Sequence, residues 1–241
     1  MVSEAKLTKH KIIKDMNKNE KFVITINREL GSGGRTVGRK LAEKLNVEFY
    51  DKALIEALKE KYNLSVKEIE KLKGQSHTWW AELKRAITFS DAVAVKQPKA
   101  DSSTKELTGV YIARPDFSTV QAITPKDVFQ AETEILKGIG EAESCVIAGR
   151  SGFYVFRDHP NHMSILIQAT MPFRVERVMR KQNMTEAEAR KTIDKIDKMR
   201  ENYVKEYTGT SRYDTRNYDL VITADGKTED EIVDLIMAYI G

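Results

Sequence analysis

The stretch Phe22-Val23-Ile24-Thr25-Ile26-Asn27-Arg28-Glu29-Leu30-Gly31-Ser32-Gly33-Gly34-Arg35-Thr36-Val37-Gly38 decides how this chain folds. Its first part is short, β-branched and flanked by charge, the composition of a strand buried on both faces. Val37, Leu41 and Leu45 then recur at every fourth position, which predicts an amphipathic helix from Thr36 to Leu45. Between strand and helix lies a turn of almost bare backbone, Gly31-Ser32-Gly33-Gly34. In such a βα unit, main-chain N–H groups and the positive end of the helix dipole converge on one spot, which favours a phosphate. A plain turn with glycines for close packing is the alternative reading. Two fingerprints do not fit: the dinucleotide spacing asks for glycine where Thr36 stands, and the Walker A pattern asks for a lysine that is absent.

Outward from this unit, strand and helix signals alternate. Val47 to Tyr50 reads as a second strand ending at Asp51, followed by a helix over 53–61 and a Ser65–Glu68 capping box. From about 74 to 123 the pattern is irregular and reads as an insertion carrying the pair Trp79-Trp80. Thr124-Pro125 opens a helix to about Ile139, and Ser144 to Ala148 forms a strand that stops at Gly149-Arg150. Ser164 to Ala169 is another strand, followed by an arginine-rich helix after Pro172. Thr185 with Glu188 opens a long helix to about Tyr207, Tyr218 to Thr223 is the last strand, and Thr228 with Glu231 caps the closing helix. Five buried strands alternating with helices predict a three-layer α/β fold around a mostly parallel five-stranded sheet.

Composition removes several classes of function. Of 241 residues, 41% are hydrophobic and 32% charged, with 13 Gly and only 5 Pro, a balance foreign to disordered and low-complexity chains. The lone cysteine, Cys145, has no disulfide partner, and no apolar run approaches a membrane span, so a cytoplasmic protein without membrane contact is expected. The net charge of +4 is split. Residues 1–21 carry +3, a basic tail over about 1–20 ahead of one domain over 21–241, and residues 171–216 carry +4 with both signs interspersed. Neither forms the one-sided stripe that tracks nucleic acid, so no nucleic-acid partner is expected.

The run from Ile24 to Gly38, with Phe49-Tyr50-Asp51, resembles the cytidylate kinase-like family, a branch of the P-loop nucleoside monophosphate kinases. Val146-Ile147-Ala148-Gly149-Arg150 is similar to that family's strand ending in Gly-Arg, and Arg174 to Tyr207 with Tyr218-Asp219-Leu220 is similar to its lid and final strand. The resemblance spans roughly 21–60 and 125–240. It implies a P-loop NTPase-like fold with a helical lid over about 171–216, and phosphoryl transfer from ATP with Mg²⁺ to a nucleoside monophosphate of cytidylate type or a related small acceptor. On this reading Arg28, Gly31, Ser32, Gly33, Gly34, Arg35 and Thr36 hold the donor phosphates, and Thr36 places its hydroxyl for the metal. Asp51 and Arg150 meet the acceptor, while Arg35, Arg150, Arg177, Arg180, Asp197 and Arg200 surround the transferring group. Arginine suits the task because its planar fork binds phosphate oxygens in pairs.

Spacing places Arg190, Asp194, Asp197 and Arg200 on one helical face beside an apolar stripe of Ile193, Ile196, Met199 and Tyr203. Taken alone, that face reads first as solvated ion pairs; the resemblance makes it a lid. Two departures from the family pattern stand out. Gly34 occupies the lysine position, leaving Arg28 or Arg35 to supply a cation, and Ser151 follows Gly149-Arg150 where an aspartate is expected. A nucleotide-binding pseudo-kinase or regulatory module without transfer activity is therefore the main alternative, and an NAD(P)-dependent oxidoreductase a distant one. His159 and His162 read as surface residues of a loop, and Cys145 as a buried structural thiol. The tryptophan pair and the insertion leave room for a homodimer.

Overall fold

The computed structural model of the protein describes residues 16–51 and 125–241. The helix expected over 53–61, the Ser65–Glu68 box, the 74–123 insertion with its tryptophan pair, and residues 1–15 of the tail lie outside the described residues.

Among the described residues five strands form one sheet: β1 (Val23–Arg28), β2 (Glu48–Tyr50), β3 (Cys145–Ala148), β4 (His162–Gln168) and β5 (Leu220–Thr223). Their order is β2-β3-β1-β4-β5, and every pairing is parallel. The strand that opens the sequence thus lies at the centre, with the chain leaving it on one side and returning on the other, the switch point at which parallel sheets bind ligands. Register shapes this point. Pairing of β1 with β3 ends at Ile26 and Ala148, whereas pairing with β4 continues through Arg28 and Ile167. Asn27 and Arg28 therefore project past the end of β3.

Among the described residues six α-helices accompany the sheet: α1 (Gly34–Leu45), α2 (Pro125–Ala142), α3 (Gly152–Val155), α4 (Met171–Gln182), α5 (Glu186–Thr208) and α6 (Glu229–Tyr239). One face of the sheet presents Ile24, Ile26, Val146, Ile165 and Ile167 to Val37, Leu41, Ile232 and Ile236 of α1 and α6. Each of these fully enclosed side chains contributes roughly 1.5–3 kcal/mol relative to exposure. The opposite face is covered by α2 and α3, with Gly152 packed against Thr25. These are the expected three layers. The capping boxes at Thr185–Glu188 and Thr228–Glu231 are both formed, and accepting the threonine N–H holds each glutamate carboxyl below its ordinary value.

Helices α4 and α5 form a hairpin with a small core of its own, Val175, Val178, Ala189 and Ile193. Leu30 packs on that core, which fastens the hairpin to the glycine turn. His162 departs from expectation: it begins β4, two residues before the predicted start, and shares a 2.8 Å hydrogen bond with Thr25 Oγ1. Cys145 is fully buried. Among the described residues, no helix is long and apolar enough to cross a membrane.

Candidate functional site

The turn after β1 closes through two residues with positive φ, Gly31 at 90° and Gly33 at 86°, a conformation that side chains resist. Gly31 also needs its bare Cα for packing, because a Cβ there would stand 2.7 Å from the Arg174 carbonyl. Some amides of the turn are committed. Leu30 N–H donates to both Asp197 carboxylate oxygens at 3.1 and 3.3 Å, and Ser32 N–H donates to the Glu29 carbonyl at 3.3 Å. The amides of Gly31, Gly33, Gly34 and Arg35 donate to nothing among the described residues. They face a cleft of about 730 Å³ at the start of α1, where the helix leaves its first N–H groups unsatisfied and its dipole end positive.

Thr36 lines the same cleft; its amide donates to the Gly33 carbonyl at 2.9 Å, while its hydroxyl has no partner among the described residues. Among the described residues no group of three or more His, Cys, Asp or Glu could hold a metal by itself.

The predicted arginines divide. Arg177 reaches the turn, its guanidinium carbon lying 3.3 Å from where a Cβ of Gly33 would be, and it also pairs with Glu229. Arg200 lines the cleft and bonds Asp197 Oδ1 at 3.3 Å and the Arg28 carbonyl at 3.4 Å. Arg35 turns aside to Asp51, with Nε 2.6 Å and Nη2 2.5 Å from Oδ2. Asp51, expected to meet the acceptor, lines the turn's cleft with its carboxylate held by Arg35. Arg180 is exposed on α4 and lines neither cleft. Arg190 pairs with Glu186 in solvent at 3.0 Å, and Asp194 is exposed, so only Asp197 and Arg200 of the predicted face meet the turn.

Asp197 is a junction. Its buried carboxylate takes Arg174 Nη1 at 2.6 Å, Arg212 Nη1 at 3.3 Å, Arg200 Nη1 and the Leu30 amide together. Arg174 and Arg212 were not among the predicted site residues. Arg174 carried a signal, since it stands three before Arg177 on α4. Arg212 carried none; it lies in the irregular stretch after α5, only 1% exposed, and also donates to the carbonyl of Arg28. A carboxylate serving three guanidiniums and an amide fixes geometry; it is not a free base.

A second cleft, of about 460 Å³, opens beyond the end of β3. The turn that forms it, Gly149-Arg150-Ser151, holds three successive positive φ angles of 84°, 54° and 54°. Two adjacent non-glycine residues in that region mark a strained turn held by its surroundings. Arg150 lies there with Nη1 3.0 Å from Glu132, and Glu132 also accepts from the Tyr203 hydroxyl at 2.8 Å. Burial, then the Glu132 charge, pushes that hydroxyl well above the ordinary tyrosine range, so it remains a donor. Ser151 Oγ is buried and has no hydrogen-bond partner among the described residues. Ile196, Met199 and Phe153 supply an apolar wall. Among the described residues Arg28 and Arg200 alone line both clefts.

A family model described as the cytidylate kinase-like family matches residues 23–225. The chain belongs to that family. Membership of the cytidylate kinase-like family makes phosphoryl transfer the general class of chemistry. Among solved structures, an uncharacterized protein from Eubacterium ventriosum is 25% identical with a TM-score of 0.59, over 91% of this chain and 98% of that one. A shikimate kinase from Bacteroides thetaiotaomicron is 14% identical with a TM-score of 0.46, over 90% and 97%. A gluconokinase from Sinorhizobium meliloti is 13% identical with a TM-score of 0.44, over 91% of both chains. No curated protein matches the sequence.

Proposed function

We propose that the protein transfers the terminal phosphoryl group of ATP to a small anionic acceptor, a nucleoside monophosphate of cytidylate type or a close analogue. The observation that carries this reading is the pair of clefts with two arginines on their common border. The open amides of Gly31, Gly33, Gly34 and Arg35, with Arg177 above them, bind the donor's phosphates. Thr36 offers its hydroxyl to Mg²⁺, which when bound screens phosphate charge. Arg150 and Ser151 receive the acceptor, whose less polar part rests on Ile196 and Met199. Arg28 and Arg200 face the group that passes between them. A reaction of this type needs no covalent catalyst: the residues position two substrates and stabilise negative charge in a site from which water is excluded. The unit from residue 21 onward acts as one domain, with the α4–α5 hairpin as its lid.

One observation favours the alternative of a binding module without transfer, namely glycine at position 34. A coupled assay separates the two. With ATP and Mg²⁺ present, ADP release is expected only when an acceptor from a panel of nucleoside monophosphates and small hydroxylated metabolites is added. ATP binding with no acceptor-dependent release across the panel would favour the binding module. Arg150→Ala is expected to raise the acceptor KM and lower kcat while the fold is retained; unchanged kinetics would remove Arg150 from the site.

A further inference from the structure

The Walker A pattern, laid on Gly33, asks for glycine at position 28 and lysine at position 34. This chain has the opposite at both places, Arg28 and Gly34. The two departures touch. A Cβ on Gly34 would stand 2.6 Å from Arg28 Cβ and 3.2 Å from its Cγ, and these atoms belong to the stiff base of the side chain. No side chain therefore fits at 34 while Arg28 is present. The far end lies against a second glycine, with Arg28 Nη1 where a Cβ of Gly149 would stand; the tip of the side chain can move, but Gly149 is itself held at a φ of 84° that side chains resist. Arg28 thus runs through a slot with glycine on both walls, from the phosphate turn to the strained turn after β3. Sheet register creates the slot, since β3 stops pairing one step before Asn27 and leaves its side of Arg28 open.

The charge at the end of this side chain has no ion pair and no hydrogen bond among the described residues. Burial and the like charges of Arg200 and Arg212 bring the guanidinium down to about 9, with Asp51 opposing from a distance. A cation kept in that condition, at the border of two clefts, is stabilised only when an anion arrives.

We infer that Arg28 is the phosphate-binding cation of this site, supplied from the strand end in place of a lysine on the helix, and that Arg28 and Gly34 form one exchange in which each residue requires the other. The inference rests on the phosphoryl-transfer reading and adds to it. A lysine at the start of α1 would offer a point charge to the donor alone. The fork of Arg28 lies between the clefts, where it can grip two oxygens of the group in transit.

The test begins by titrating the full-length protein with ATP plus Mg²⁺, and separately with inorganic tripolyphosphate, by calorimetry. Wild type that binds neither ligand overturns the phosphoryl-transfer reading itself, and this inference with it. Where wild type binds, Arg28→Met is decisive, because it keeps an aliphatic stem in the slot and removes the charge. Affinity is expected to fall about tenfold or more. The unfolding temperature of the ligand-free variant is expected to rise, since a repelled, partly buried charge has gone; a purely structural arginine would lower it. Gly34→Lys alone is expected to lose binding and stability together. The double variant Arg28→Gly with Gly34→Lys is expected to recover affinity to within about threefold of wild type, as the more usual arrangement is restored. Undiminished tripolyphosphate binding by Arg28→Met, a lowered melting temperature for that variant, or a double variant no better than Arg28→Gly would each overturn the assignment.

Discussion

Arg212 and Arg28 are neighbours, the first donating to the carbonyl of the second, yet their electrostatic circumstances are opposite. Arg212 is sealed from solvent and finds Asp197 and Asn27. Arg28 borders two clefts and, among the described residues, has no carboxylate paired with it. Burial alone does not distinguish them; pairing does. A guanidinium with its counter-charge supplied by the protein has been used to build the site, as have Arg174 and Arg212 at Asp197. A guanidinium left without one is held for a counter-charge that arrives from outside.

The largest effect should come from breaking the paired set. Asp197→Asn keeps the shape but leaves Arg212 enclosed without its counter-charge and Arg174 with only Glu29 at 3.7 Å, and it weakens the tie to the Leu30 amide. A loss of about 3–5 kcal/mol in unfolding free energy is expected, the range for removing one partner from a buried ion pair. Urea denaturation with an unchanged slope measures it. A loss below about 1 kcal/mol would show that Asp197 is not the junction of the fold, since that is the range of exposed pairs, and would return it to consideration as an acid or base.

The contrast between the two sets was only half visible in the sequence. The β1-turn-α1 unit, both described capping boxes, the ends of α5 and the start of α6 followed from local periodicity and cap chemistry, because those features are set by residues within a few positions of one another. Asp197 and Arg200 were recognisable as a pair for the same reason. What they bind was not. Asp197 reaches Leu30 across 167 positions and Arg28 meets Gly149 across the register step of β1 and β3, distances over which no pattern speaks. Arg212 lies in a segment with neither helical nor strand period, so nothing marked it. His162 was missed because a polar residue opening a buried strand looks like the loop before it, and its partner Thr25 lies on the central strand.

An intermediate effect is expected at Arg177, which belongs to both sets: it lies on Gly33 and also pairs with Glu229. Arg177→Met should weaken ATP affinity severalfold, less than Arg28→Met, because part of the charge is already satisfied. Its stability should change by about 1 kcal/mol or less, as for other partly exposed pairs. Calorimetric affinity alongside a thermal melt gives both values. A larger stability loss than Asp197→Asn would place Arg177 with the builders of the fold.

The smallest effect is the sharpest check on how the α4–α5 hairpin is oriented. Arg177 and Arg180 stand three apart on α4, and from the sequence they are equivalent lid cations. The structure separates them through the small core beneath: Val175 and Val178 are buried against Ala189 and Ile193, which sets the roll of the helix. That roll turns Arg177 to the phosphate turn and leaves Arg180 in solvent, outside both clefts. Arg180→Ala is therefore expected to leave ATP affinity unchanged and to move stability by no more than about 0.5 kcal/mol, as surface substitutions do. Because the two arginines share a helix and a charge, any general loss of positive field would weaken binding in both variants alike. Equal losses from Arg177→Met and Arg180→Ala would mean that the hairpin binds nucleotide in a different roll, and that charge density, not placement, is what the lid contributes.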